Sequence, residues 1–436
     1  MKDKKLQQLY DFFLRSSGVS TDSRRITHGC LFFALKGDQF NGNQFAGAAI
    51  EHGAMLAVAD DPALEKHPEV FMVENALEAL QQLATHHRQL CQAKVIGITG
   101  SNGKTTSKEL VASVLSTKFN IVSTAGNLNN HIGVPLTLLR IKPETELAVV
   151  EMGANHVGEI EALCNIARPD YGLITNIGKA HLEGFGGIQG VVKAKTELYK
   201  FLKAHDGLVF LNHNDQLLQN HAKDIRQYTY GTSTESDVRG TLLESKPFVG
   251  FEWSQGVSEA YKVLTKIIGS YNLDNLLAAV AIGSYFGIQP ALVNEALESY
   301  LPSNNRSQLI ARNNFSIIMD AYNANPVSMA AAISNLAALG CERPVVILGD
   351  MLELGDESAT EHRAILDLLS GLGIKQVYLI GKEFAAVSEP YGFQVFSDVL
   401  AFNNALINHS WNGTHILVKG SRGIRLELLN IFSQDA

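Results

Sequence analysis

The chain has 436 residues, enough for two to four domains with several buried cores. Apolar residues make up 46% of it and charged residues 18%, a balance that excludes a disordered chain. Thirty-six Lys and Arg against 44 Asp and Glu give a net charge of -8, the wrong sign for a protein that binds through many neutralised phosphates, so no nucleic-acid partner is expected. One small anion needs only a few local cations. Four cysteines, Cys30, Cys91, Cys164 and Cys341, lie far apart with no Cys-x-x-Cys pair, which predicts reduced thiols and a cytoplasmic protein. The charged N-terminus leads into no apolar stretch of the kind a signal peptide uses, and no run of 18 apolar residues predicts a membrane span.

From about residue 26 to 80, apolar runs at Cys30 to Leu35, Met55 to Ala59 and Val70 to Val73 alternate with Gly- and Asn-bearing turns and one helical stretch, Ala76 to Leu90. They predict a small α/β domain. At Lys94 to Thr99 a buried strand runs into a Gly-rich turn and a helix from Lys104 to about Thr117. Strand then helix recurs at Leu147 to Met152 and Gly158 to Ala167, and at Gly172 to Asn176 and Ile188 to Lys203, before a strand at Gly207 to Leu211. That alternation predicts a mostly parallel sheet covered by helices. Residues 231 to 265 predict a short antiparallel section, and Leu273 to Phe286 an apolar helix. A third cycle starts near Pro302, with strands at Ser316 to Asp320, Val345 to Gly349, Val377 to Ile380 and Ile416 to Lys419. The expected fold is therefore α/β in three domains, 1–82, 83–301 and 302–436, without solenoid repeats or low-complexity segments.

The strongest local signal is Thr99-Gly100-Ser101-Asn102-Gly103-Lys104-Thr105-Thr106, between a predicted strand and a predicted helix. Glycines let backbone N–H groups approach phosphate oxygens, Lys104 supplies a positive charge, and the Thr105 hydroxyl can ligate magnesium. The spacing is the short Gly-x-x-Gly-Lys-Thr, since Ile98 stands where the longer phosphate loop has its first glycine. Such a turn binds a nucleoside triphosphate; a turn that merely caps a helix is the plainer alternative. Glu151, in Glu151-Met152-Gly153-Ala154, ends a strand of the same sheet and so faces the ligand crevice, where a carboxylate either holds magnesium or caps the next turn. Thr175 to His181 follows the next strand and brings His181 to that edge, as a metal ligand or as an ordinary polar residue.

On the helix predicted from Ile188, Lys195 falls on the apolar face with Val191, Val192, Leu198, Tyr199 and Leu202, whereas Lys193 looks solvated. An inward ammonium is costly, so its pKa is pushed toward the neutral amine, which can react with carbon dioxide to give a metal-binding carbamate; a Lys that snorkels past the face is equally compatible with the wheel. Asn272 and Asn275 open the apolar helix, where Asn272 reads best as an N-cap. Asp320-Ala321-Tyr322-Asn323-Ala324-Asn325-Pro326 clusters amides at a strand-to-helix turn, and Lys419-Gly420-Ser421-Arg422 puts two cations around a glycine, suited to carboxylate or phosphate.

Together these segments resemble the Mur ligases of peptidoglycan synthesis, and within that family the branch that adds D-alanyl-D-alanine to UDP-N-acetylmuramoyl-tripeptide. The likeness runs in family order from Ser20-Thr21-Asp22-Ser23-Arg24 through the Gly100 to Thr106 turn, Gly126-Asn127-Leu128-Asn129-Asn130-His131-Ile132-Gly133-Val134-Pro135, Glu151 to Gly153, Thr175 to His181 and Asp320 to Pro326 to Leu348-Gly349-Asp350-Met351-Leu352-Glu353-Leu354-Gly355 and Lys419 to Arg422. The Tyr-Asn-Ala-Asn-Pro and Gly-Asp-Met-Leu-Glu-Leu-Gly runs point to that branch.

The resemblance implies an N-terminal domain for the UDP-sugar, a central P-loop-type ATPase and a C-terminal Rossmann-like domain that closes over the site. It implies ATP and magnesium, held by Thr99 to Thr106 and Asn127, with Lys104, His181 and Lys195 catalytic. Thr105, Glu151, His181 and carbamylated Lys195 would arrange two magnesium ions. Asn272 and Asn275 would approach the adenine, Arg306 and Asp320 the phosphate and ribose, and Ser23 and Arg24 the UDP-sugar. Asn323, Asn325, Lys419 and Arg422 would lie near the peptide substrates. A monomer is the default. Tyr271, Asn305, Asn41 and Asn43 depart from the family's usual His, Gly, Asp and His. A folylpolyglutamate synthetase would lack the N-terminal segment, and a non-ligating ATP-binding protein would need no Asn-rich turn at 323 to 325.

Overall fold

In the computed structural model, which describes residues 1, 3–37, 40–256, 259–302, 306–312 and 314–432, three larger sheets form in succession along the chain. The first has four parallel strands in the spatial order Val19–Ser20, Leu31–Phe33, Leu56–Ala59, Val70–Met72. The helix Asp3–Arg15 packs its Leu9, Tyr10 and Phe13 against this unit. Helix Ala76–Leu90 forms where the sequence predicts it, started by Asn75, whose side chain accepts from the Glu78 N–H. Residue 82 lies inside this continuous helix. The expected division there thus cuts through an element that packs on both the first unit and the second.

Arg88, buried near the end of that helix, donates to the carbonyls of Ala167 and Arg168 (both 3.0 Å) and to Asp170 Oδ2 (2.8 Å), fixing the first unit on the second. Arg88→Ala leaves those acceptors short of a donor. We expect a loss of about 3 kcal/mol of stability, read as a lower denaturant midpoint; an unchanged midpoint contradicts the docking role.

The second sheet has the order Tyr261–Ile268, Phe248–Gln255, Val238–Glu244, Arg226–Gly231, Leu208–Asn212, Tyr171–Ile174, Lys94–Thr99, Leu147–Glu151, Ile121–Ser123. The pairs from Val238–Glu244 to Ile121–Ser123 are parallel, and the first two pairs are antiparallel, as residues 231 to 265 suggested. Strands such as Leu147–Glu151 are buried along their whole length because helices cover both faces, which is why they read as unbroken apolar runs. Helices Lys104–Leu115, Leu273–Tyr285 and Pro290–Ser299 pack one face. The other face belongs to a cluster that runs through all three units, from Leu80 through Val95 and Val150 to Ile318 and Leu348.

The helix expected from Ile188 to Lys203 is two helices, Ile188–Lys195 and Glu197–Ala204. The break falls at Thr196, whose ψ opens to -5° and whose hydroxyl donates to the Val192 carbonyl (2.8 Å) beside its own N–H (3.0 Å). The C-terminal sheet has the order Gln308–Ala311, Ser316–Asp320, His415–Lys419, Pro344–Gly349, Gln376–Ile380, Gln394–Phe396, parallel except at the first pair. Among the described residues no helix is long and apolar enough to cross a membrane.

Candidate active site

From Lys94–Thr99 the chain runs outward to the strands at one side of the sheet, then returns to Tyr171–Ile174 on the other side, so the strand order reverses between Thr99 and Ile174. Ligands of open α/β sheets bind at such a reversal, outside the carboxyl ends of the strands. The Gly100 to Thr106 turn stands there. Gly100 and Gly103 have φ of +143° and +79°, and a Cβ on either would overlap the side chain of Thr175 or Asn275. Gly103 starts helix Lys104–Leu115 without any side-chain cap, so the first N–H groups of the helix are open to an anion.

A cavity of about 600 Å³ extends from this turn to the C-terminal sheet. It is lined by Ser101 to Thr106, Glu151, His181, Asn272, Asn275, Arg306, Asp320, Asn323, Asn325 and Lys419, so residues far apart in the sequence meet. Lys104 Nζ donates to the carbonyls of Gly100 (2.7 Å) and Ser101 (3.2 Å), which holds the ammonium over the turn. Burial pushes its pKa down to about 8, against an upward pull from Glu151. Thr105 Oγ1 donates to Glu151 Oε2 (2.8 Å), and Asn129 Nδ2 donates to Glu151 Oε1 (2.7 Å). Two oxygens 2.8 Å apart are close to the edge of an octahedral magnesium shell, about 3 Å for bonds of about 2.1 Å, so this pair fits such an ion.

Lys195 is buried beneath the cavity and does not line it. Its Nζ has one long hydrogen bond, to the Ala154 carbonyl (3.4 Å), and lies 5.2 Å from the Phe185 ring centre. Burial first, and Lys104 second, push its pKa down to about 7. An ammonium is poorly served in this place. Lys193 is exposed, as the wheel predicted. Among the described residues no group of three or more His, Cys, Asp and Glu gathers as a ready metal site.

On the C-terminal side, the register that sets Asp320 opposite Lys419 explains their ion pair (2.6 Å). Lys419 also donates to the Asn323 carbonyl (3.2 Å). Asn325 caps helix Pro326–Leu339 in a capping box with Ser328, and its Nδ2 reaches across to Asn102 Oδ1 (2.7 Å). Arg306 stacks on the Tyr322 ring at 3.8 Å.

Other residues lie elsewhere than expected. Asn127 is exposed and off the cavity; the turn instead directs Asn129 onto Glu151. Asn272 makes no side-chain cap: its amide donates to the Ile268 carbonyl and accepts from Asn275 (both 2.8 Å), continuing to Ser107. Thr99 is a sheet tie, its hydroxyl donating to the Met152 carbonyl (2.8 Å), and Gly100 does not line the cavity. Ser23 and Arg24 are outside the cavity, with Arg24 exposed and forked onto Asp22 (2.9 Å). Arg422 is exposed and also outside it, 5.6 Å from the Tyr322 ring. Tyr271 lines the cavity and bonds Ser307 (3.1 Å), Asn41 and Asn43 form a network with Asp60, and Asn305 lies outside the described residues. Asn129, Tyr322 and Glu353 sit inside the motifs quoted from the sequence, yet spacing does not mark them out from their neighbours.

Three family models match in order: the Mur ligase family catalytic domain over residues 15–93, the Mur ligase middle domain over 98–283 and the Mur ligase glutamate ligase domain over 305–422. The UDP-N-acetylmuramoyl-tripeptide–D-alanyl-D-alanine ligase of Bacillus subtilis (strain 168) is 38% identical over 423 residues, covering 94% of this chain and 91% of its own. The structure of MurF from Acinetobacter baumannii superposes with a TM-score of 0.86 at 31% identity, over 98% of this chain and 97% of that one. MurF from Thermotoga maritima in complex with ADP gives 0.83 at 26% identity, with the same coverage of 98% and 97%. By sequence and by fold over almost its full length, the chain belongs to the Mur ligase family.

Proposed function

We propose that the chain is an ATP-dependent amide ligase of peptidoglycan synthesis, joining D-alanyl-D-alanine to UDP-N-acetylmuramoyl-tripeptide and releasing ADP and phosphate. One observation carries this reading: the phosphate turn, with Lys104 and Glu151, shares a single cavity with the Asp320 to Asn325 turn and Lys419 of the C-terminal unit. The activity named for the Bacillus subtilis relative and the ADP complex of the Thermotoga maritima neighbour support it.

A carboxylate is a poor acyl donor, so the tripeptide's terminal carboxylate is phosphorylated by ATP, and the amine of D-alanyl-D-alanine then displaces phosphate from the acyl phosphate. Lys104 and the uncapped helix N-terminus hold the phosphates in line and meet the charge that develops on the moving phosphoryl group. Magnesium held by Thr105 and Glu151, and by His181 with Lys195 as its carbamate, supplies further positive charge when bound. Asn272 and Asn275 serve the adenine side, Arg306 and Asp320 the phosphates and ribose, and Ser23 and Arg24 the UDP-sugar. Asn323 and Arg422 face the peptide substrates, while Asn325 and Lys419 hold the turn that carries Asn323. The Asn325 to Asn102 bond sets the C-terminal unit on the phosphate turn and so excludes water from an intermediate that water destroys.

Asn129→Ala is expected to lower kcat about tenfold with an unchanged melting temperature, since it removes only the donor that orients Glu151; wild-type kcat contradicts this role. Four free thiols support a cytoplasmic enzyme. Calorimetric titration tests the reading against a folylpolyglutamate synthetase. UDP-N-acetylmuramoyl-tripeptide is expected to bind and a folate to give no heat, and the reverse pattern overturns the assignment.

A further inference from the structure

The segment from Thr175 to Glu183 makes contacts on two sides. On one side it holds the phosphate turn: Thr175 Oγ1 and Asn176 Nδ2 donate to the Asn102 carbonyl (2.6 and 3.0 Å), and the Asn102 N–H donates to Asn176 Oδ1 (3.0 Å). On the other side it meets the C-terminal unit. Lys179 Nζ pairs with Glu361 Oε1 (2.5 Å), and His181 Nδ1 pairs with Glu353 Oε2.

The second pair differs from the first in its backbone. His181 has φ of +51° and Glu353 has φ of +65°, so two residues with side chains adopt the left-handed region where they face each other. Such conformations are costly and persist where the surroundings over-determine them, most often at functional sites. Glu353 also stands at the end of a held loop. Asp350 anchors it by accepting from the Glu383 and Phe384 N–H groups (both 3.0 Å), and Ser421 Oγ accepts from the Leu352 N–H (2.9 Å). His181 lines the cavity, so a carboxylate on Nδ1 leaves Nε2 as the ring nitrogen available to it.

We propose that Glu353 is a positioning residue for His181: brought in by the C-terminal unit, its carboxylate accepts the Nδ1 proton and fixes the ring in the tautomer that presents the Nε2 lone pair to the metal beside the phosphates. The inference rests on the reading of His181 as a metal ligand. It makes the ligand set depend on docking of the C-terminal unit. Lys179 and Glu361 form a separate, partly exposed ion pair between the same two units, too weak by itself to decide whether they dock.

Manganese titrations followed by electron paramagnetic resonance, on the full chain with ADP present, test this without turnover. His181→Ala and Glu353→Ala are each expected to weaken Mn2+ binding about tenfold, and Glu353→Gln, whose amide oxygen still accepts from Nδ1, to recover part of the loss. Lys179→Ala, which breaks only the neighbouring ion pair, is expected to bind Mn2+ as the wild type does. If His181→Ala weakens binding and Glu353→Ala does not, or if Lys179→Ala weakens it as much as Glu353→Ala, positioning by Glu353 is overturned while the ligand role of His181 stands. Unchanged binding in His181→Ala removes the ligand role, and the inference with it.

Discussion

Lys104→Ala is expected to lower kcat by about 10²–10³-fold, the cost of removing one preorganised donor from a site of developing charge. The ammonium is held over the turn by the Gly100 and Ser101 carbonyls, so it needs no reorganisation to meet a phosphate. Burial brings its pKa down only to about 8, and at neutral pH the group still carries its proton. The fold should survive, because the bonds lost are made within one turn of an otherwise intact sheet and helix. Phosphate release under saturating substrates reads the effect. A variant with wild-type ATP affinity and turnover would remove the phosphate role of the turn's lysine.

The second large effect is expected at Lys195. Lys195→Ala should lose at least about tenfold to hundredfold in kcat, and formate or acetate should restore part of it by placing a carboxylate where the carbamate stood. The pH dependence follows from the direction of the shift. Burial, then the nearby Lys104, pushes the amine down to about 7, so the neutral form that adds carbon dioxide dominates above that value and the ammonium below it. When the amine attacks carbon dioxide a C–N bond forms and one amine proton is released. Enzyme stripped of bicarbonate should therefore recover activity on adding bicarbonate at pH 8 and much less at pH 6. Between about 7 and the unfolded value of 10.5 the unfolded chain binds more protons at this site, so its contribution to stability rises with pH across that window. Full activity of Lys195→Ala, or bicarbonate dependence unchanged at pH 6, contradicts the carbamate.

The sequence made the parallel strands and the phosphate turn legible because their signals are local. Lys94–Thr99 and Leu147–Glu151 are apolar along their length since both faces are covered, and the glycines of the turn are demanded by the backbone itself. Lys195 was legible from its helix face alone. What escaped depends on structure beyond the periodicity. The break at Thr196 is a local change of backbone, ψ of -5°, that no apolar pattern marks. The helix Asp3–Arg15 carries its apolar face in only three buried residues, among charged neighbours. Asn129 and Asn127 are equivalent in spacing, and only the fold of the turn decides which reaches Glu151. The bonds from Asn102 to Asn325 and from His181 to Glu353 join residues of different units, set by how two sheets dock, and no local pattern encodes them.

In the proposed reaction one cavity couples ATP cleavage to joining a muramoyl peptide and a dipeptide. Phosphate release from ATP and magnesium, with UDP-N-acetylmuramoyl-tripeptide and D-alanyl-D-alanine supplied singly and then together, tests it most directly when the product is weighed by mass spectrometry. Release that requires both substrates, with the mass of the UDP-N-acetylmuramoyl-pentapeptide, is the predicted result. Bound ATP with both substrates present, yet neither phosphate nor pentapeptide formed, would contradict it.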